Sequence, residues 1–323
     1  MTGPNGAGKT NLLEAVHLGT QGFSPRTRAD AQLIRFGADA ARVTLSLQGL
    51  SPLQVCVDLS TGAPKKATLN GARLPAAEQL RREVATLVFT PDRLVVVKGP
   101  PAARRAYFDR VLGRLFPSKA SLSADYAAAI AQRNASLRRV AVGYSMREAL
   151  APWTQSVAEL GGQLAEARRE TLSALAGLFA ERAAELGLPV ARLEHQTEAV
   201  TVAALEARLE RDLERGTTGL GPHLDDVRIL SETRDLRSFG SQGEQRLAVL
   251  ALLLAEAELI RERRGMPPLL LLDDVLSELD PDRRRTLIGR IQSSVQTLIT
   301  ATTREALPVE PDQLLRVSPG RVE

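Results

Sequence analysis

Three short stretches of this sequence carry residue types whose spacing suits phosphate chemistry. The first is Gly3-Pro4-Asn5-Gly6-Ala7-Gly8-Lys9-Thr10, a Gly-x4-Gly-Lys-Thr loop. Its glycines permit the tight turns that aim backbone N–H groups at a β-phosphate. Lys9 supplies charge to β and γ oxygens, and the Thr10 hydroxyl suits Mg²⁺. The helix that follows offers its positive end to the same anion. The second stretch, Leu269-Leu270-Leu271-Leu272-Asp273-Asp274, is an apolar strand running into two acids. In that arrangement Asp273 serves Mg²⁺ and Asp274 orients or deprotonates an attacking water. The third, Phe239-Gly240-Ser241-Gln242-Gly243-Glu244-Gln245-Arg246, places Ser241 and Gly243 at the bare start of a long helix. One nucleotide already has its phosphates cradled by residues 3–10, so a second anion-binding helix start makes sense over ATP held by another copy of the chain. A glycine-containing N-cap has the same composition.

These stretches need a scaffold. Asn11 to Leu18 reads as a helix with Leu12, Leu13 and Val16 toward a sheet. Arg42–Leu47 and Leu53–Leu59 alternate apolar and polar residues as half-buried strands, and Asn70-Gly71 signals a turn. Glu83–Phe89, Val227–Leu230 and Leu298–Ala301 read as further strands, and Ala203–Arg215 as a charged helix ended by Gly216. From Ser118 to Gly187 the composition shifts to Ala, Arg, Glu and Leu at helical spacing, broken at Gly143-Tyr144-Ser145, with Pro152 at the start of the second helix or kinking it. Two helices of about 25–35 residues predict a hairpin of about 40–50 Å. Strands alternating with helices outside this arm predict a mostly parallel sheet with helices packed on it.

Composition narrows the class. The chain has 323 residues, 44% of them hydrophobic, enough for a large core or two domains. No run of about 18 apolar residues occurs, and a single Cys56 leaves no internal disulfide framework, which fits a reducing cytoplasm. A net charge of +4 does not by itself announce nucleic acid. Arg heavily outnumbers Lys, which suits bidentate phosphate contacts and equally suits ordinary solvated faces. Arg104, Arg105, Arg133, Arg138, Arg139 and Arg147 are the candidate DNA contacts. With aromatics at 3%, backbone binding to duplex is favoured over base stacking on single strands. His223 with Asp225 and Asp226 is too sparse a set for a dedicated metal site.

The order P-loop, long insertion, Ser-x-Gly helix start, strand with two acids, Ser277-Glu278-Leu279-Asp280 resembles ABC-type ATPase heads, including the SMC-like group. Further blocks resemble the RecF recombination-mediator family: Pro91-Asp92, Lys98-Gly99-Pro100-Pro101, Arg104 to Asp109, Gln132-Arg133-Asn134, Gly221-Pro222-His223-Leu224-Asp225-Asp226, and Ser241 to Arg246. The resemblance runs from residue 3 to about residue 300 and implies an α/β fold: an ABC/SMC-like P-loop head with a mostly parallel sheet, an antiparallel β region and an inserted helical arm. The expected divisions are 1–117 and 218–323 for the head and 118–217 for the arm. By the same resemblance, Asn5, Gly6, Ala7, Gly8, Lys9, Thr10 and Asn11 contact ATP in cis, Thr10 and Asp273 serve Mg²⁺, Asp274 serves hydrolysis, and Ser241 and Gly243 reach the γ-phosphate in trans. It implies an ATP-dependent homodimer on double-stranded or gapped DNA, slow hydrolysis as a release switch, and RecR and RecO as partners in loading RecA.

The sequence departs from that pattern twice. Where an ABC head often has a His after its last core strand, Leu298 to Thr303 offers only hydroxyls, and Thr302 is the expected stand-in. Only Met1 and Thr2 precede Gly3, whereas the family has an antiparallel edge and a central strand upstream. Without roughly 30 such residues a neighbouring strand would expose unpaired backbone. The expectation is therefore a misassigned start or a truncation, and the alternative function is a DNA-binding scaffold that does not hydrolyse ATP.

Overall fold

The computed structural model describes residues 1–27, 29–48, 52–292 and 296–323. They gather into two compact units, Met1–Arg93 with Ile260–Glu323, and Leu94–Leu259. The chain begins in the first with α1 (Lys9–Gln21), β1 (Ala40–Leu47), β2 (Leu53–Ser60), β3 (Ala63–Leu69), β4 (Ala72–Arg73) and β5 (Thr86–Phe89). The second follows with α2 (Val95–Lys98), α3 (Pro101–Leu115), α4 (Leu122–Ala141), α5 (Ala151–Glu185), β6 (Ala191–Gln196), α6 (Val202–Ala207), α7 (Leu209–Arg215), β7 (Asp226–Ser231), β8 (Arg234–Asp235), α8 (Leu236–Phe239) and most of α9 (Gln242–Arg264). The first unit resumes with β9 (Leu269–Leu272), α10 (Pro281–Gln292), β10 (Thr297–Ile299), β11 (Val317–Ser318) and β12 (Arg321–Val322).

In the first unit β9 lies between β10 and β5, parallel to both. A strand covered on both faces reads as an unbroken apolar run rather than an alternation, and Leu270, Leu271 and Leu272 are accordingly buried. Each such leucine contributes about 1.5–3 kcal/mol. Thr2 forms parallel bridges with both Ala301 and Arg316, and its N–H donates to the Leu315 carbonyl at 2.8 Å. Met1 and Thr2 thus supply the short extended stretch that leads into the loop at Gly3. One side of α1 joins Leu13 to Met1, Val88, Leu271 and Val317. Further along it, Leu18 packs on Val55, Val57 and Leu59 of the antiparallel sheet β1-β2-β3-β4. The expected turn between β3 and β4 has Asn70 at φ 49° and Gly71 at φ 81°, the left-handed pair a two-residue hairpin of this type needs.

In the second unit α4 and α5 pack together over a core that includes Tyr126, Val157, Leu164 and Leu205. The 35 residues of α5 span about 52 Å at 1.5 Å each, and α4 about 30 Å. Pro152 sits in the first turn of α5, where a missing N–H costs nothing, so it starts the helix rather than kinking it. At 20 residues α4 is shorter than the expected helix of about 25–35, and the sequence reading differs at other places too. The strand expected from Glu83 begins only at Thr86, after a 3-10 turn over Ala77–Arg82. The helix expected over Ala203–Arg215 divides at Arg208 into α6 and α7. Finally, β6 pairs antiparallel with β7, although Ala-Arg-Leu-Glu-His-Gln is too polar to announce a strand.

Candidate nucleotide site

The P-loop turns on Gly6 at φ 81° and Gly8 at φ 104°, values that suit glycine. Gly8 is the N-cap of α1, no side chain caps the helix, and its first turn holds no acid. No side chain of the helix's own first turn therefore caps the leading N–H groups or offsets the positive end of the dipole. The Lys9 ammonium donates to the carbonyls of Gly3 at 2.6 Å and Pro4 at 2.9 Å, which holds it over the loop. Ala7 is buried among the core residues of the unit, while Asn5, Gly6 and Asn11 are exposed.

The parallel sheet brings the two acids to this loop. The Asp273 N–H donates to the Phe89 carbonyl at 2.9 Å, which fixes the carboxyl end of β9. Thr10 then donates its hydroxyl to Asp273 Oδ2 at 2.8 Å, although 263 residues separate the two. Asp274 follows in the left-handed region at φ 50°, a conformation that costs a non-glycine residue and persists only where its surroundings hold it. The side chains border one cavity of about 480 Å³, lined among others by Asn5, Lys9, Thr10, Asp273 and Asp274. A hydroxyl and a carboxylate at hydrogen-bond distance are hard oxygen donors. They fit Mg²⁺, which commonly takes one or two protein oxygens together with substrate phosphates. Among the described residues no cluster of three or more His, Cys, Asp or Glu suits a metal.

Three residues at this cavity are given no site role by the sequence reading, although Asp92 falls in the Pro91-Asp92 block and Thr300 in the Leu298-to-Thr303 stretch. Asp92 lines it. Arg26 lines it too, directed by Glu14 Oε2 at 3.2 Å and Asn11 Oδ1 at 3.4 Å. Its only signal is the Ser24-Pro25-Arg26-Thr27 turn, in which Ser24 Oγ accepts the N–H groups of Arg26 and Thr27. Thr300 is the third. The expected Thr302 is exposed on the cavity wall, whereas Thr300 is buried and touches both acids, donating to Asp273 Oδ1 at 2.7 Å and accepting from the Asp274 N–H at 2.9 Å.

Ser241 and Gly243 belong to the second unit and are exposed on it. Ser241 and Glu244 form a capping box at the start of α9. The Ser241 N–H donates to Glu244 Oε2 at 2.8 Å, and the Glu244 N–H donates to Ser241 Oγ at 3.2 Å, satisfying two helix-terminal donors at once. The Ser241 N–H, more than burial opposes, lowers the Glu244 carboxyl below its ordinary range.

Two of the arginines expected to face DNA face inward instead. Arg104 is buried and forks onto Asp226 at 2.6 and 2.7 Å. Burial works against the charge on Asp226, but the Arg104 fork, the Val227 N–H and Arg237 together lower that carboxyl. Arg133 is fully buried, donating to Asp212 at 2.7 Å and Thr218 at 2.8 Å. The type of residue was legible, but its direction depended on acids far along the chain. Arg105 is half-buried and donates to the Asp225 carbonyl at 2.6 Å. Its guanidinium is lowered by burial and then by Arg168. Arg138, Arg139 and Arg147 are exposed, and Arg147 is paired with Glu210. The motif Gly221 to Asp226 is gripped from several elements. Arg168 donates to the Pro222 carbonyl at 2.6 Å, His195 lies 3.1 Å from Asp225, and His223 bonds both Tyr126 and the Thr218 carbonyl. The histidines thus serve packing and loop support.

A P-loop joined to paired acids on a parallel sheet, with a long helical insertion and a serine-led helix start, defines an ABC/SMC-like ATPase head. The profile of the RecF/RecN/SMC N terminal domain matches residues 1–322, and the Smc head domain of Pyrococcus furiosus shares the fold, with a TM-score of 0.57 at 18% identity over 98% of this chain and 86% of that one. Within that class the chain belongs to the RecF family. It is 37% identical to the DNA replication and repair protein RecF of Anaeromyxobacter sp. (strain K), over 95% of this chain and 87% of that protein. A solved structure of the recombination mediator protein RecF with ATP, described in the RecFOR pathway, superposes with a TM-score of 0.87 at 26% identity, covering 100% of this chain and 90% of that one. No described helix is long and apolar enough to cross a membrane.

Proposed function

We propose that this chain is an ATP-dependent DNA-binding protein of replication and repair, acting in the cytoplasm and using slow hydrolysis as a release switch. The observation that carries the reading is the Thr10–Asp273 hydrogen bond at 2.8 Å, which joins phosphate loop and acids in one cavity. The N–H groups of the loop and first turn of α1 bind the β-phosphate, while Lys9 exchanges the Gly3 and Pro4 carbonyls for β and γ oxygens. Thr10 and Asp273 would hold Mg²⁺, which when bound neutralises charge on the transferring phosphate. Asp274, at the rim beyond Asp273, orients the attacking water and takes its proton. Asn5, Gly6, Ala7, Gly8 and Asn11 shape the cradle.

Ser241 and Gly243 complete the site from a second copy, so that ATP is sandwiched in a homodimer. Exposed Arg138, Arg139 and Arg147, with half-buried Arg105 at most assisting, contact the phosphates of duplex or gapped DNA. RecR and RecO are the partners through which RecA loading follows. Sedimentation with ATP, Mg²⁺ and gapped DNA tests the scheme. Lys9→Met is expected to abolish the ATP-dependent dimer, and Asp274→Asn to trap it while stopping turnover. A chain that binds DNA equally with and without ATP and never dimerises would make it a scaffold instead.

A further inference from the structure

Thr300 sits one residue beyond β10. Because Ile299 pairs with Leu272 in the parallel register, Thr300 falls opposite Asp273, and its own N–H donates to the Leu272 carbonyl at 3.0 Å. Its side chain is therefore delivered to the end of β9 by sheet geometry. A hydroxyl has one hydrogen to give and lone pairs to receive. Here the lone pair takes the Asp274 N–H at 2.9 Å, which leaves the hydrogen for Asp273 Oδ1 at 2.7 Å. Thr10 bonds the other oxygen, Oδ2. The two carboxylate oxygens are thus distinguished: Oδ1 is tied down inside the protein, and Oδ2 faces the phosphate loop. The same hydroxyl holds the backbone of Asp274 in its left-handed conformation at φ 50°, a state that needs such a tether.

We infer that Thr300 is a positioning residue that fixes both acids at once, aiming Asp273 Oδ2 at the metal position and Asp274 at the γ-phosphate. The inference deepens the ATPase reading and rests on it. Thr300 acts as a supporting partner behind a ligand, and loss of such partners typically costs about 10–100-fold in metal affinity or activity. Valine keeps the branched shape and removes only the hydroxyl, while serine keeps the hydroxyl and removes the methyl.

The test uses the full chain as wild type, Thr300→Val and Thr300→Ser, and measures binding of a fluorescent ATP analogue in EDTA and across a Mg²⁺ titration, then turnover. In EDTA the three proteins are expected to bind alike, because the phosphate loop is untouched. The Mg²⁺ midpoint of Thr300→Val is expected to rise about 10–100-fold and its kcat to fall, with Thr300→Ser close to wild type. An unchanged midpoint in Thr300→Val, or a Thr300→Ser as impaired as Thr300→Val, would overturn the inference. Weakened binding in EDTA would also overturn it, by showing damage to the fold rather than to metal alignment. Wild-type chain that binds the analogue and never turns it over would count against the ATPase reading, while the Mg²⁺ midpoint still judges Thr300.

Discussion

Replacing Arg133 with methionine separates an inward arginine from a DNA contact. The guanidinium is fully buried, and it neutralises Asp212, whose side chain is only 3% exposed. Removing one member of a buried pair strands the other charge and costs about 3–5 kcal/mol. Asp212 would keep one donor, the Gly219 N–H at 3.0 Å, which places the expected loss near the lower figure, about 3 kcal/mol. Thr218 would lose a donor as well but keep its bonds to Asn134 at 2.7 and 2.8 Å. At about 2–4 °C per kcal/mol for a unit of this size, the melting temperature should fall by roughly 6–12 °C. Circular dichroism melts measure that shift, and duplex affinity is measured well below both transitions. Arg133→Met together with Asp212→Leu should recover much of the loss, because no charge is left stranded. A variant that melts like wild type yet binds duplex poorly would refute the reasoning and return Arg133 to the DNA surface.

Two further outcomes test other parts of the reading. Burial lowers His223 below its ordinary value of 6.5, so the folded chain favours its neutral form. Its contribution to stability is complete above that value and is lost as pH falls below it. Melting temperature should therefore drop on acidification through this window, and His223→Gln should flatten that part of the profile; an identical slope in both proteins would exclude His223 as the cause. Arg138→Glu with Arg139→Glu should weaken duplex binding and lower the slope of log affinity against log salt by about one unit per lost phosphate contact. An unchanged slope across the titration would remove that face of α4 from the DNA path.

The two motifs that meet at the cavity were legible because each is local. Gly3 to Thr10 and Leu269 to Asp274 each state their role within eight residues, and the parallel sheet was implied by the alternation around them. What escaped depends on register or on distance. Thr300 could be told from Thr302 only once Ile299 was paired with Leu272. Arg104 and Arg133 look like surface arginines until Asp226 and Asp212, 122 and 79 residues away, draw them inward. The β6 strand was hidden because Leu193 is its one large apolar residue, so an alternation of Arg192, Glu194 and Gln196 has little apolar face to set against it, and its pairing with β7 is long-range.

The gripped loop from Thr218 to Asp226 also bears on the order in which the chain can fold. Its partners Arg104, Tyr126, Arg133 and Arg168 lie 122, 97, 85 and 54 residues upstream. Helices can form early from local contacts, but each of these bonds must first close a long loop of chain. During synthesis the buried Arg104 of α3 therefore exists for a time without Asp226, and Arg133 and Arg168 without their bonds to Thr218 and the Pro222 carbonyl. A ribosome stalled short of Asp226 holds Arg104 without its acid, whereas Arg168 already has Asp109 and Arg133 already has Asp212, so the loop completes the charge pairing of the unit rather than beginning it.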